Sequence, residues 1–228
     1  MKKYLLAALV FVLCFASVTA VAAGKLNVAQ ENFHKIDMYS PYGYLYAKVE
    51  NVGDKPIKVN AGLLEIYDEN GDPLTSTDYI NAYVTYLQPG AYTYVRAYDE
   101  VEQGLDAVDD YMFTVSGKSD KDTEVIVFPC EAYYEVDTSN PYWTKNNMYA
   151  TFTNTSDKPL YNIEVVAALL DAEGNILYVE SDTMYNNALH AGSTVTVRFD
   201  VSSSFIEYYE ANGFVPVSVD ALAYAKVE

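Results

Sequence analysis

Oxygen-bearing side chains recur at every second position in Asp68-x-Asn70-x-Asp72, the spacing with which a calcium loop begins. An EF-hand loop counted from Asp68 also needs Gly at position six and Glu at position twelve. Here Gly71 stands at position four and Tyr79 at position twelve. Asp171, Glu173 and Asn175 repeat the motif and lack the same framework. Each stretch carries the Gly that a tight hairpin turn needs, Gly71 and Gly174, so a turn is the expected role. A weak calcium site at Asp68, Asn70 and Asp72 is the alternative. Zinc needs a cluster of ligands. His34, His190 and Cys130 lie too far apart in sequence to form a local one. A nucleophilic Ser or Cys needs a nearby base, and no G-x-S-x-G elbow occurs. Carboxylates are too numerous for any pair to be singled out as a glycosidase-like site. No catalytic residue, cofactor or metal is expected.

Aromatic residues offer more. Tyr39, Tyr42, Tyr44 and Tyr46 cluster in the first part of the chain, and Tyr133, Tyr134, Tyr142, Trp143 and Tyr149 in the second. Tyrosine combines apolar area with a polar tip at low entropy cost, as interfaces require. Tyr42, Tyr44, Tyr46, Tyr142, Trp143 and Tyr149 are therefore the candidate surface for an unknown protein partner, a peptide or a surface glycan. Cross-strand packing is the plainer role for the same residues. Arg96 and Arg198 are the only arginines, and a cross-strand ion pair with a carboxylate is expected for each, with anion capture as the alternative.

The elements that must position these residues occur twice. Shifted by 103, residues 46–74 fall on 149–177 without a gap, and nine of the 29 positions are identical. Chance gives roughly two at the usual residue frequencies of about 5–8%. Asn51, Asp54-Lys55-Pro56, Asp68 and Gly71 match Asn154, Asp157-Lys158-Pro159, Asp171 and Gly174. At a shift of 102, Leu87, Gly90, Val95 and Arg96 meet Leu189, Gly192, Val197 and Arg198. The identities are mostly turn residues, and a period near 100 suits one small domain. Between the turns the pattern alternates, as in strands with one buried face. Leu45, Ala47 and Val49 point inward, with Tyr44, Tyr46, Lys48 and Glu50 outward. Met148, Ala150 and Phe152 correspond to the inward set. Leu64 and Ile66 match Ala167 and Leu169, and Thr93, Val95 and Ala97 match Val195, Val197 and Phe199, which leaves both arginines outward. The Thr/Tyr-rich run 77–87 is β-prone. Capping-box spacing at Asp99/Glu102 and Ser204/Glu207 predicts a short helix in each copy. A closing strand follows in each, at Tyr111 to Val115 and Phe214 to Val219.

The pattern N-x-x-D-K-P, an apolar-x-apolar-Tyr-Asp run, x-x-Gly and then L-x-P-G resembles the FxLYD-type, immunoglobulin-like domains of bacterial exported proteins. Leu64-Glu65-Ile66-Tyr67-Asp68 has Leu for the motif's Phe, and the second copy has Leu170 where Tyr is expected. The resemblance covers about 50 residues in each half. It implies β-sandwich domains without catalytic residues.

Residues 1–23 read as a secretory signal peptide: Lys2 and Lys3, an apolar run from Leu5 to Val18, then Ala20-Val21-Ala22-Ala23. Residues 24–32 read as a polar leader. The formal net charge is −18, and loss of both signal lysines leaves 12 bases against 32 acids. That excludes nucleic acid as a natural partner and disfavours anionic membranes. No later stretch approaches the roughly 20 apolar residues of a membrane helix. Cys130 would be the one cysteine of the processed chain, so an intrachain disulfide is ruled out there; a buried thiol after Val125-Ile126-Val127-Phe128 is favoured over an intermolecular bridge. The expectation is an all-β chain of two tandem immunoglobulin-like β-sandwich domains, residues 24–120 and 121–228, behind a signal peptide at 1–23. It would be secreted or exposed at the cell envelope, as a non-enzymatic interaction or structural module.

Overall fold

The computed structural model describes residues 24–37, 40–120, 123–140, 144–185 and 187–227. The expected signal peptide, Tyr39, Tyr142 and Trp143 lie outside them. The chain is all-β, with one α-helix among the described residues. In chain order the strands are β1 (Leu26–Asp37), β2 (Pro41–Asn51), β3 (Ile57–Tyr67), β4 (Pro73–Thr77), β5 (Ile80–Ala82), β6 (Tyr86–Leu87), β7 (Tyr92–Glu100) and β8 (Asp110–Ser119). They continue with β9 (Val125–Pro129), β10 (Glu131–Asp137), β11 (Lys145–Thr153), β12 (Ile163–Leu170), β13 (Ile176–Met184) and β14 (Thr194–Val201). Helix α1 (Ser203–Ala211) precedes β15 (Ser218–Lys226).

These strands form sandwich-like antiparallel sheets. One has the order β1-β2-β7-β5, and a second joins β4, β6 and β8 to β3. Two more follow, β10-β11-β14 and β13-β12-β15-β9. Every described ladder stays within residues 26–119 or within 125–226. The topology repeats with the sequence. The β1-β2-β7 order corresponds to β10-β11-β14, and β4-β3-β8 corresponds to β13-β12-β15. Register is kept as well, since Tyr46 pairs with Arg96 and Tyr149 with Arg198.

The identical residues have identical tasks. Asn51 is fully buried and donates to the carbonyls of Lys55 (2.8 Å) and Leu87 (3.0 Å). Asn154, equally buried, donates to Lys158 (2.9 Å) and Leu189 (2.8 Å). A buried amide satisfied in this way ties three chain segments together. Asp68 accepts from the backbone N–H groups of Asn70 and Asp72, both at 2.9 Å, and Asp171 from those of Glu173 (3.0 Å) and Asn175 (2.7 Å). Gly71 and Gly174 close these turns at φ 79° and 84°, a region that side-chain-bearing residues avoid.

In the N-terminal half Leu45, Ala47, Val49, Leu64, Ile66, Val95 and Ala97 are buried, as the alternation predicts. Three local readings need correction. The polar leader is part of β1, whose side chains from Leu26 to Glu31 alternate between half-buried and exposed. Asp99 lies in β7, and the following turn is a 3₁₀ turn at Leu105–Ala107. Ser204 lies inside α1, whose N-cap is Ser202 without a side-chain capping bond. The last strand begins at Ser218 and not at Phe214, because Phe214 packs against His34 and Val217 donates to Leu170.

Candidate binding surfaces

The expected open face of β2 and β7 is covered. Tyr46 and Tyr94, on the face away from Leu45 and Val95, are 0% and 1% exposed. What covers them is the C-terminal half. Tyr46 meets Tyr178 of β13 (centroids 6.1 Å apart), and Tyr44 meets Phe205 of α1 edge-on (5.5 Å). The hydroxyls of Tyr92 and Tyr94 donate to the Asp220 carboxylate at 3.0 and 2.5 Å, with Lys48 Nζ 3.7 Å from the same group. Arg96 reaches Glu180 at 3.6 Å. Tyr44 and Tyr46 therefore join the two halves and do not form an open partner surface. Burial pushes the Tyr46 phenol well above its ordinary pKa, and the nearby Tyr209 and Tyr178 hydroxyls add to the rise. Tyr42 lies at the margin of this contact, beside Tyr44 and Tyr98.

Strand β1 supplies the polar edge of the joint. Gln30 donates to the Gly174 carbonyl (2.7 Å) and Asn32 to that of Ile176 (3.0 Å). His34 is 1% exposed, with Nε2 3.2 Å from the Ile176 carbonyl, and its ring is surrounded by Tyr46, Tyr208, Tyr209 and Phe214. Burial lowers its pKa. The Tyr209 hydroxyl donates to the Leu177 carbonyl and anchors α1 on β13.

A sequence signal for this joint existed. Ile163 to Leu170, Ile176 to Val179 and Ala221 to Ala225 are nearly unbroken apolar runs, the mark of strands buried on both faces. Alternation in β2 and β7 hid the matching surface, because tyrosine reads equally well as outward.

The equivalent face of β10-β11-β14 is open. Tyr149 stacks on Tyr133 (4.8 Å, 17°), and Tyr133 is 51% exposed. Thr151 and Thr196 share a hydrogen bond at 2.8 Å, as do Thr153 and Thr194. Arg198 pairs with Asp200 of its own strand at 3.1 Å, both largely exposed.

The remaining candidates have structural tasks. In each turn the Asp68 or Asp171 Oδ1 accepts two backbone N–H groups, and Oδ2 accepts from the Asn70 or Asn175 side-chain amide. Among the described residues no group of three or more His, Cys, Asp or Glu is placed to hold a metal ion. His190 is an exposed turn residue. Cys130 is half-buried, its Sγ 3.9 Å from the Phe128 carbonyl, and burial pushes its pKa up to about 12. No helix among the described residues is long and apolar enough to cross a membrane.

No family model matches the sequence, and no curated protein matches it. Solved structures are similar only distantly. Red sea bream transglutaminase is 13% identical at a TM-score of 0.22, with 91% of this chain and 31% of that one covered. The C-terminal globular domain of the Pyrococcus abyssi oligosaccharyltransferase is 11% identical at 0.21, with 89% and 47% covered. The Gt strain structure of infectious bursal disease virus is 9% identical at 0.22, with 91% and 68% covered. The chain thus spans under half the length of the first two, and none of these likenesses assigns a family or an activity.

Proposed function

We propose that the chain is an exported pair of tandem immunoglobulin-like sandwiches, residues 24–120 and 121–228, working as a non-enzymatic interaction module. In this reading the first copy uses its tyrosine face to grip the second. The second copy offers its open β10-β11-β14 face to a partner protein. The observation that carries the proposal is the contrast between two equivalent faces, one sealed and one carrying the exposed Tyr133 stacked on half-buried Tyr149 beside Arg198. Rigid aromatic area next to an arginine is the composition of binding hot spots. The non-enzymatic part is supported by His34 and Cys130. The first is enclosed by aromatic rings, and the second is held as a thiol. Pull-down from the extracellular fraction of the native host, with wild type beside Tyr133→Ser/Tyr149→Ser, tests the reading. A captured protein lost in the double variant and kept by Tyr42→Ser is the expected result. Equal capture by all three chains would refute the assignment of this face.

A further inference from the structure

Two adjoining clefts open beside the contact between the halves. The first, about 550 Å³, is lined by Lys158, Tyr161, Asn162, Glu164, Tyr185 and Lys226 among others. The second, about 570 Å³, has Lys58, Asn60, Asn81 and Tyr83 on the N-terminal side and Glu164 and Thr183 on the other. Glu164, Thr183 and Tyr185 line both, so the two spaces form one groove. Each is within the size range of small-ligand sites.

Three properties define what would fit. Tyr161 and Tyr185 are 55% and 69% exposed, so their rings are available for stacking. Lys58, Lys158 and Lys226 line the groove of a chain whose net charge is −18. Lys58 and Lys226, one from each half, lie over the Tyr86 ring at 5.1 and 4.8 Å, and Lys58 also engages the Tyr86 hydroxyl. The opposing carboxylate, Glu164, has the Tyr224 hydroxyl and Lys226 as partners; burial raises its pKa, and these two work against the rise. Third, side-chain amides and hydroxyls lie between the rings. Tyr83 is 8% exposed and its hydroxyl has no hydrogen-bond partner among the described residues. Asn162, with φ 50°, is the one described non-glycine residue of positive φ, a strained conformation in the groove wall.

We propose that this groove binds an acidic oligosaccharide. Sugar rings stack on Tyr161 and Tyr185, and their carboxylates meet Lys158, Lys226 and Lys58. The lining mixes amides, hydroxyls and ammonium groups with apolar surface from Pro159, Leu160, Val227, Val59 and Ile80, the combination of polar donors and stacking area that a sugar uses. The site is separate from the β10-β11-β14 face and stands or falls independently of it.

Calorimetric titration of the purified chain with tetragalacturonate and a hyaluronan tetrasaccharide tests this, with neutral maltotetraose and inorganic phosphate as controls. The expected result is saturable binding of at least one acidic oligosaccharide that weakens with salt. Tyr161→Ala/Tyr185→Ala and, separately, Lys158→Ala/Lys226→Ala are each expected to weaken it by at least about tenfold. These positions are exposed, so circular dichroism of both variants should match wild type. Tyr133→Ala should bind as wild type does. Absence of saturation by either acidic sugar at millimolar concentration would overturn the proposal. So would equal affinity for maltotetraose, for which charge is irrelevant, or for phosphate, for which the rings are. Undiminished binding by the two groove variants would overturn it as well.

Discussion

The faces of β1-β2-β7 and β10-β11-β14 are the same surface in two circumstances. Tyr46, Lys48, Tyr92, Tyr94 and Arg96 correspond to Tyr149, Thr151, Thr194, Thr196 and Arg198. Only the first and last of these are shared. The sealed face uses tyrosines where the open one uses threonines. The sealed tyrosines meet Tyr178, Phe205 and Asp220, whereas the threonines hydrogen-bond one another across the sheet. Arg96 pairs across the joint with Glu180, and Arg198 pairs along its own strand with Asp200. Position in the fold therefore does not decide burial. What decides it is whether a complementary apolar surface exists, and the runs of β12, β13 and β15 provide one only for the first copy.

Breaking the sealed face should cost most. Tyr46→Ala removes a fully buried ring and is expected to destabilise the chain by about 3–5 kcal/mol. Tyr149→Ala, at the equivalent open position, should cost about 1 kcal/mol or less. Urea denaturation of both variants measures the difference, and equal costs would erase the contrast. Next comes Asp220→Ala, which strands the buried Tyr94 hydroxyl and removes the acceptor of Tyr92. A loss of about 2–3 kcal/mol is expected in the same assay. What the halves share should respond alike. Asn51→Ala and Asn154→Ala each remove one buried amide with two carbonyl partners, and each should cost about 2 kcal/mol.

The smallest effect is a pH dependence carried by His34. Its folded pKa is lowered, chiefly by burial, while the Ile176 carbonyl and the charge of Asp171 pull the other way; the surrounding tyrosines are neutral in this range. The unfolded chain protonates first as pH falls through about 6.5, so the His34 contribution is present above that pH and is lost toward the lower folded pKa. Glu164, with a raised pKa, works in the opposite sense at lower pH. Urea midpoints at about pH 7.5 and pH 5 should therefore differ less in His34→Gln than in wild type. An unchanged difference would remove His34 from the joint's energetics.

Much of each sheet was legible from sequence because its rules are local. Alternation identified Leu45, Ala47, Val49 and Ala97 as core, and the repeated Asp and Gly marked turns whose hydrogen bonds involve residues only a few positions away. What was not legible depends on long-range pairing. Gln30 and Asn32 read as a polar leader and His34 as an isolated strand residue without a motif, because their partners, Gly174 and Ile176, are over 140 residues distant. The tyrosines of β2 read as an outward, partner-facing stripe, whereas Tyr44 and Tyr46 pack on Phe205 and Tyr178 of the same chain. The groove at Glu164 left no local trace, since its walls come from Lys58 to Thr85, from Lys158 to Tyr185 and from the end of β15.

Tyrosine footprinting of the native chain, by brief hydroxyl-radical exposure and peptide mass spectrometry, tests the contrast most directly. Tyr133 and Tyr149 are expected to be modified readily. Tyr46 and Tyr94, on the equivalent face, should react only after unfolding. Modification of Tyr46 and Tyr94 in the native chain at the rate of Tyr149 would mean that the two halves do not stay joined through this face.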